Sequence, residues 1–171
     1  AMIKKTLLGL IAMAGILVSA AVQATIIPWS ATINSAQEVP TNPTPGTGYA
    51  SGSVDDVSGA LAWNITFAGL TLPLTAMHFH GPAAPGTNAG VQVNIGNISG
   101  LFSPSIGSTT INAQQVSALL AGNWYINLHT AAFPGGEIRG QVLPGAVPEP
   151  AMLGLLGLAL AGLAASRRRK P

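Results

Sequence analysis

Three histidines carry most of the chemistry this sequence offers, and two of them sit one residue apart. His78 and His80 lie in Ala76-Met77-His78-Phe79-His80-Gly81-Pro82, and His129 closes Trp124-Tyr125-Ile126-Asn127-Leu128-His129. On a strand, alternate side chains share a face, so His78 and His80 would stand roughly 7 Å apart on one side. Imidazoles at that spacing can converge on one ion through bonds of about 2 Å. His129 completes a three-nitrogen set if its strand faces theirs. Imidazole without thiolate suits copper, with zinc as the alternative, better than calcium or magnesium. Glu38 or Glu137 could add an oxygen. The plainer reading is that the histidines only hydrogen-bond in place. Glu137 and Arg139 would share a strand face and can pair, a contact worth about 0–1 kcal/mol at a surface. No Ser/His/Asp order is evident, and two catalytic carboxylates would have to come from very few, so hydrolase chemistry has little support.

The elements that must hold these residues read as short strands. Gly, Pro, Thr, Ser, Asn and Val dominate the middle of the chain, a composition that suits strands and turns over long surface helices. Thr25 to Asn34 alternates as a first strand. Residues 40–48, PTNPTPGTG, form a loop. Tyr49 to Val54 and Ala60 to Ala68 make a hairpin around Asp55-Asp56-Val57-Ser58-Gly59, with Leu61, Trp63, Ile65 and Phe67 on one face. Thr75 to His80, then Val91, Val93 and Ile95, follow as strands. Residues 96–110 are polar, with glycines and serines crowded at their start. Asn112 to Leu120 is the one helix expected in the body, stopped by Gly122. In the next strand Trp124, Ile126 and Leu128 share a face, while Tyr125, Asn127 and His129 take the other. Phe133-Pro134-Gly135-Gly136 turns the chain into a last strand, Glu137 to Leu143. Six to eight short strands with regular turn signals predict an all-β domain, a Greek-key β-sandwich of superoxide-dismutase-like or immunoglobulin-like form, with one short helix. Trp63 and Trp124 are expected in its core.

Both ends read as addresses. In residues 2–24, Lys4 and Lys5 precede the apolar run Leu7 to Val18, and small residues at Val22-Gln23-Ala24 predict signal-peptidase cleavage after Ala24. Residues 151–165 are all Ala, Met, Leu or Gly, and Arg167, Arg168, Arg169 and Lys170 follow. As a helix that run would span roughly 22 Å, short of the roughly 30 Å hydrocarbon core but insertable with bilayer thinning. The basic cluster keeps its end cytoplasmic and places the body across the membrane. The expected division is a signal peptide over 2–24, one domain over 25–146 and a tail over 147–171. Two terminal hydrophobic helices would flank the body.

Charge follows this division. The chain carries a formal +2, but six of its seven basic residues lie in the end segments. The body sets the four carboxylates Glu38, Asp55, Asp56 and Glu137 against the single cation Arg139, which leaves −3. Nucleic-acid binding therefore has no electrostatic basis. There is no cysteine, so neither disulfides nor thiolate metal sites are available.

Four stretches in order resemble the CHRD domain, found in chordin and in bacteria: Ala36-Gln37-Glu38-Val39-Pro40, residues 76–82 quoted above, Ala121 to Thr130, and Pro134-Gly135-Gly136-Glu137-Ile138-Arg139-Gly140-Gln141. The resemblance covers about residues 30–143. It implies an all-β domain whose polar signature positions are Glu38, His78, His80, His129, Glu137 and Arg139. The His-x-His strand is also similar to that of copper–zinc superoxide dismutase. This chain lacks that enzyme's further histidines, zinc loop and disulfide cysteines, which argues against dismutase activity.

Val147-Pro148-Glu149-Pro150, the apolar run and the basic cluster together resemble the PEP-CTERM sorting signal of exopolysaccharide-making Gram-negative bacteria. That resemblance implies recognition of Pro148, Glu149 and Pro150 by an exosortase-type peptidase. It implies an exported protein, transiently anchored in the inner membrane and destined for the envelope or extracellular matrix. The expected partners are signal peptidase, the sorting peptidase, the membrane and extracellular polysaccharide. The expected activity is metal binding, most simply of copper, through His78, His80 and His129. A structural or adhesive matrix module without metal is the alternative, and a copper redox enzyme a third.

Overall fold

A computed structural model describes residues 23–146, together with the helical positions 157, 160 and 161. The described residues form nine strands. β1 is Ile26–Asn34, β2 Thr47–Asp55, β3 Ala60–Ala68, β4 Leu74–His80 and β5 Val91–Asn94. A first short helix, α1, covers Ile95–Ser99 and is followed by β6, Ser105–Thr110. Helix α2 is Ala113–Leu120, and β7 Tyr125–Thr130, β8 Ile138–Gln141 and β9 Leu143–Pro144 complete the order. A single 3-10 turn, Ser35–Gln37, follows β1.

All the strands join one antiparallel sheet in the order β5-β4-β7-β8-β1-β2-β3-β6, with β9 on β1. The sheet curls over its own core. Trp29 of β1 and Trp63 of β3 both meet the edge of Phe79 of β4 at 5.7 Å between ring centres, and Trp124 closes the group at 5.8 Å. Strand alternation supplies this core. Ile27, Trp29, Ala31 and Ile33 point in from β1, Leu61, Trp63 and Ile65 from β3, and Met77 and Phe79 from β4. Burying side chains of this size contributes roughly 1.5–3 kcal/mol each. Both tryptophans expected in the core are there.

The polar stretch 96–110 holds most of α1 and all of β6. Asn94 caps α1 by accepting from the Asn97 N–H at 3.0 Å. Five residues are too few for a helical period to show in sequence. β6 is an edge strand whose inward positions are small: Ser105, Gly107 and Thr109. A Cβ on Gly107 would run into the Trp63 ring. The Trp63 indole instead donates to Ser99 at 3.0 Å, and Ser99 bonds Ser105 at 2.7 Å. Hydrogen bonds to a core indole, rather than an apolar stripe, seat this strand. Helix α2 appears as expected, with a reciprocal Asn112–Gln115 capping box.

Among the described residues, no helix is long and apolar enough to cross a membrane. The expected leader up to residue 22, Pro148–Glu149–Pro150, the basic cluster and nearly all of the expected 151–165 helix lie outside the described residues. Ala24, the expected cleavage position, is exposed and precedes β1.

Candidate metal centre

β4 and β7 turn their second faces away from the core and toward two long loops. Their register pairs Ala76 with His129, His78 with Asn127 and His80 with Tyr125. β8 continues the row by pairing Asn127 with Arg139 and Tyr125 with Gln141. The face is therefore polar yet largely covered. His80, Tyr125, Asn127, Arg139 and Gln141 are all buried. The loops are tied down by side chains: Arg139 donates to Thr87 O at 2.8 Å and Asn88 Oδ1 at 3.0 Å. Asn88 in turn donates to Val39 O at 2.8 Å, and Gln141 to Ala83 O at 2.9 Å.

The three histidines converge on this face. Their ring centres lie 5.1, 5.4 and 5.7 Å apart. One nitrogen from each lies within 4.8 Å of the others. Bonds of about 2.0–2.1 Å to a shared ion would require nitrogens up to roughly 4 Å apart, so the rings need draw in only slightly.

Backbone carbonyls decide which nitrogen is free. His80 Nδ1 faces Ala89 O at 2.9 Å, and His129 Nδ1 faces Pro134 O at 3.0 Å. A carbonyl only accepts, so both Nδ1 atoms carry the proton and both Nε2 atoms keep their lone pairs. Metal-binding histidines are commonly oriented by this kind of outer bond. His80 Nε2 is buried with no partner. His129 Nε2 meets His78 Nδ1 at 3.3 Å, so His78 donates to it. All three rings are held neutral. Burial, reinforced by the neighbouring His129 and His80, pushes His78 down to about 4. Burial lowers His80 and His129 too, against the raising effect of their carbonyl bonds. Neutral imidazoles are the form a metal takes.

The other signature positions stand apart from this triangle. Glu137 is fully buried, and its carboxylate accepts from Thr71 N at 2.8 Å, Thr71 Oγ1 at 3.0 Å and Thr130 Oγ1 at 2.6 Å. It pins the segment after β3 to the β7–β8 turn. It does not pair with Arg139, contrary to the expectation from strand parity, because it precedes β8 and faces those threonines. Arg139 lies 3.5 Å above the Tyr125 ring, and Tyr125 stacks on His80 at 5.0 Å. Glu38 is buried beside Asn127, whose Nδ2 donates to its Oε2 at 3.4 Å. Asn127 was already marked by its parity with His129. The Ala89 and Pro134 carbonyls, being backbone atoms, left no trace in residue types.

A family model for the CHRD domain matches residues 29–142. The chain belongs to the CHRD domain family. The match contains every residue of the histidine triangle, Glu38, Glu137 and Arg139. A second model, the PEP-CTERM protein-sorting motif, matches residues 146–170. That motif marks exported proteins of Gram-negative bacteria and implies processing by an exosortase-type peptidase. Comparison with curated proteins gave no match, and comparison with solved structures gave none.

Proposed function

We propose that this CHRD domain binds a copper ion through His80 Nε2, His129 Nε2 and His78 Nδ1. The observation that carries the reading is His80 Nε2, a buried lone pair without a donor, fixed in that state by the Ala89 carbonyl. A buried acceptor left unmet costs about 1–3 kcal/mol, and a metal ion would recover it. Three neutral imidazoles favour copper over zinc by the general order of divalent affinities. Bound there, copper would supply a Lewis-acidic and redox-active centre. Glu38 and Arg139 then belong to the surroundings of the site.

The protein works outside the cytoplasm, in the envelope or extracellular matrix. Residues 151–165 would hold it briefly in the inner membrane, and Pro148, Glu149 and Pro150 would present it to the sorting peptidase. Metal analysis of the exported protein tests the reading: near-equimolar copper supports it, and a metal-free protein refutes it. The His78–His129 hydrogen bond favours a second reading, a structural matrix module whose rings satisfy one another. That reading predicts no change in melting temperature with copper.

A further inference from the structure

Two buried oxygens on the polar face have no donor: Glu38 Oε1 and Asn127 Oδ1. They face the same point. A Cβ on Gly136 would lie within 2.6 Å of both and of Asn127 Nδ2, and Gly136 adopts φ +135°, so only glycine leaves this notch open. Asn127 cannot relieve the problem by turning over. Its Nδ2 already serves two acceptors, Glu38 Oε2 and Gly135 O, both at 3.4 Å. An ionised Glu38 would bring only acceptors to the notch. A carboxylic acid would bring one donor and satisfy both oxygens.

We propose that Glu38 holds a proton in the metal-free protein, donating it to Asn127 Oδ1, and that a metal ion entering the histidine triangle drives this proton off. The second half rests on the metal reading above. Asn127 lies directly across from His78 and two residues before His129, so the acid pair adjoins the triangle. The balance is simple. A divalent ion enters, one proton leaves Glu38 for solvent, and the buried layer gains one charge instead of two. The proton has an exit, because Glu38 also lines a surface cavity of about 480 Å³ with Val39, Pro40, Pro85 and Arg139.

The charges around Glu38 support this. Burial pushes its carboxyl up to about 7, against the pull of the Arg139 guanidinium from β8, the Asn127 bond from β7 and the neighbouring Val39 N–H. Burial lowers all three histidines on β4 and β7, His78 to about 4, and the Glu137 carboxylate is bound by its two threonines.

The test uses the exported protein and Glu38→Gln, whose amide keeps a donor toward Asn127. Infrared spectra of the metal-free protein labelled with carbon-13 glutamate should show a carboxylic-acid band at pH 6. That band should fade through about pH 7 and be missing from Glu38→Gln. Calorimetric titration with copper chloride at pH 6, in two buffers of different ionisation heat, should show about one proton released by the wild type and none by Glu38→Gln. Wild-type copper affinity should fall as pH drops below 7 more steeply than the variant's, by up to a further tenfold per pH unit. An acid band absent at pH 6 overturns the acid pair. Equal proton release from both proteins overturns the coupling. A protein that binds no copper refutes the metal reading and the coupling together, while the infrared arm still decides the pair. Should Glu38→Gln fail to fold, Asn127→Ala removes the acceptor and should shift the same band.

Discussion

A single ring, His80, shows how much of the site is set by atoms outside the side chain. Its Nδ1 is committed to Ala89, its face to Tyr125, and its Nε2 to nothing. Replacing any one of His78, His80 or His129 by Ala should weaken copper binding by at least about a hundredfold, comparable to the larger effects of losing a metal-site partner. Equilibrium competition with a chelator checks this. Protonation gives a second residue-scale test, on the metal-free protein. Glu38 is raised from 4.5 to about 7 by burial, so its contribution to stability is whole below 4.5 and lost as pH rises through 7. The histidines act in the opposite sense. His78 is depressed to about 4, so its contribution is present above its ordinary 6.5 and lost as pH falls toward 4. Glu38→Gln should therefore melt higher than the wild type at pH 8, with the gap closing near pH 5. Thermal melts across that range show whether it does.

The elements place these residues through the period-two rule, which sequence carries well. Phe79 sits between His78 and His80 and points the other way, into Trp29, Trp63 and Trp124. Phe79→Ala should cost about 3–5 kcal/mol in a denaturant titration and loosen the histidine strand with it. Asn112→Ala, which opens the α2 capping box, should cost only about 1 kcal/mol and leave metal binding intact. The same rule explains what was legible. Strands with one apolar face, β1, β3, β4 and β7, could be read from residue types, and so could the shared face of the histidines. β6 could not, because its inward positions are Ser, Gly and Thr seated by a Trp63–Ser99 bond. Nor could the partners of Glu137, which precedes β8 and is bound by Thr71 and Thr130 instead of pairing with Arg139.

At the scale of the whole molecule, one curled sheet separates two environments. Its inner face buries an aromatic core, and its outer face carries a polar layer covered by the loops around residues 36–46 and 82–90. A bacterial CHRD domain without cysteine gains no stability from disulfides, so a ligand that ties β4 to β7 acts directly on folding. At a hundredfold excess over Kd, copper should add about 2.7 kcal/mol. Magnesium should add nothing, because the site offers nitrogen where that ion takes oxygen. The most direct test of the central claim is metal content, measured by mass spectrometry on the exported protein beside His78→Ala, His80→Ala and His129→Ala. The account predicts near-equimolar copper in the wild type and little in each folded variant. Copper-free wild-type protein, or copper retained by all three variants, would contradict it.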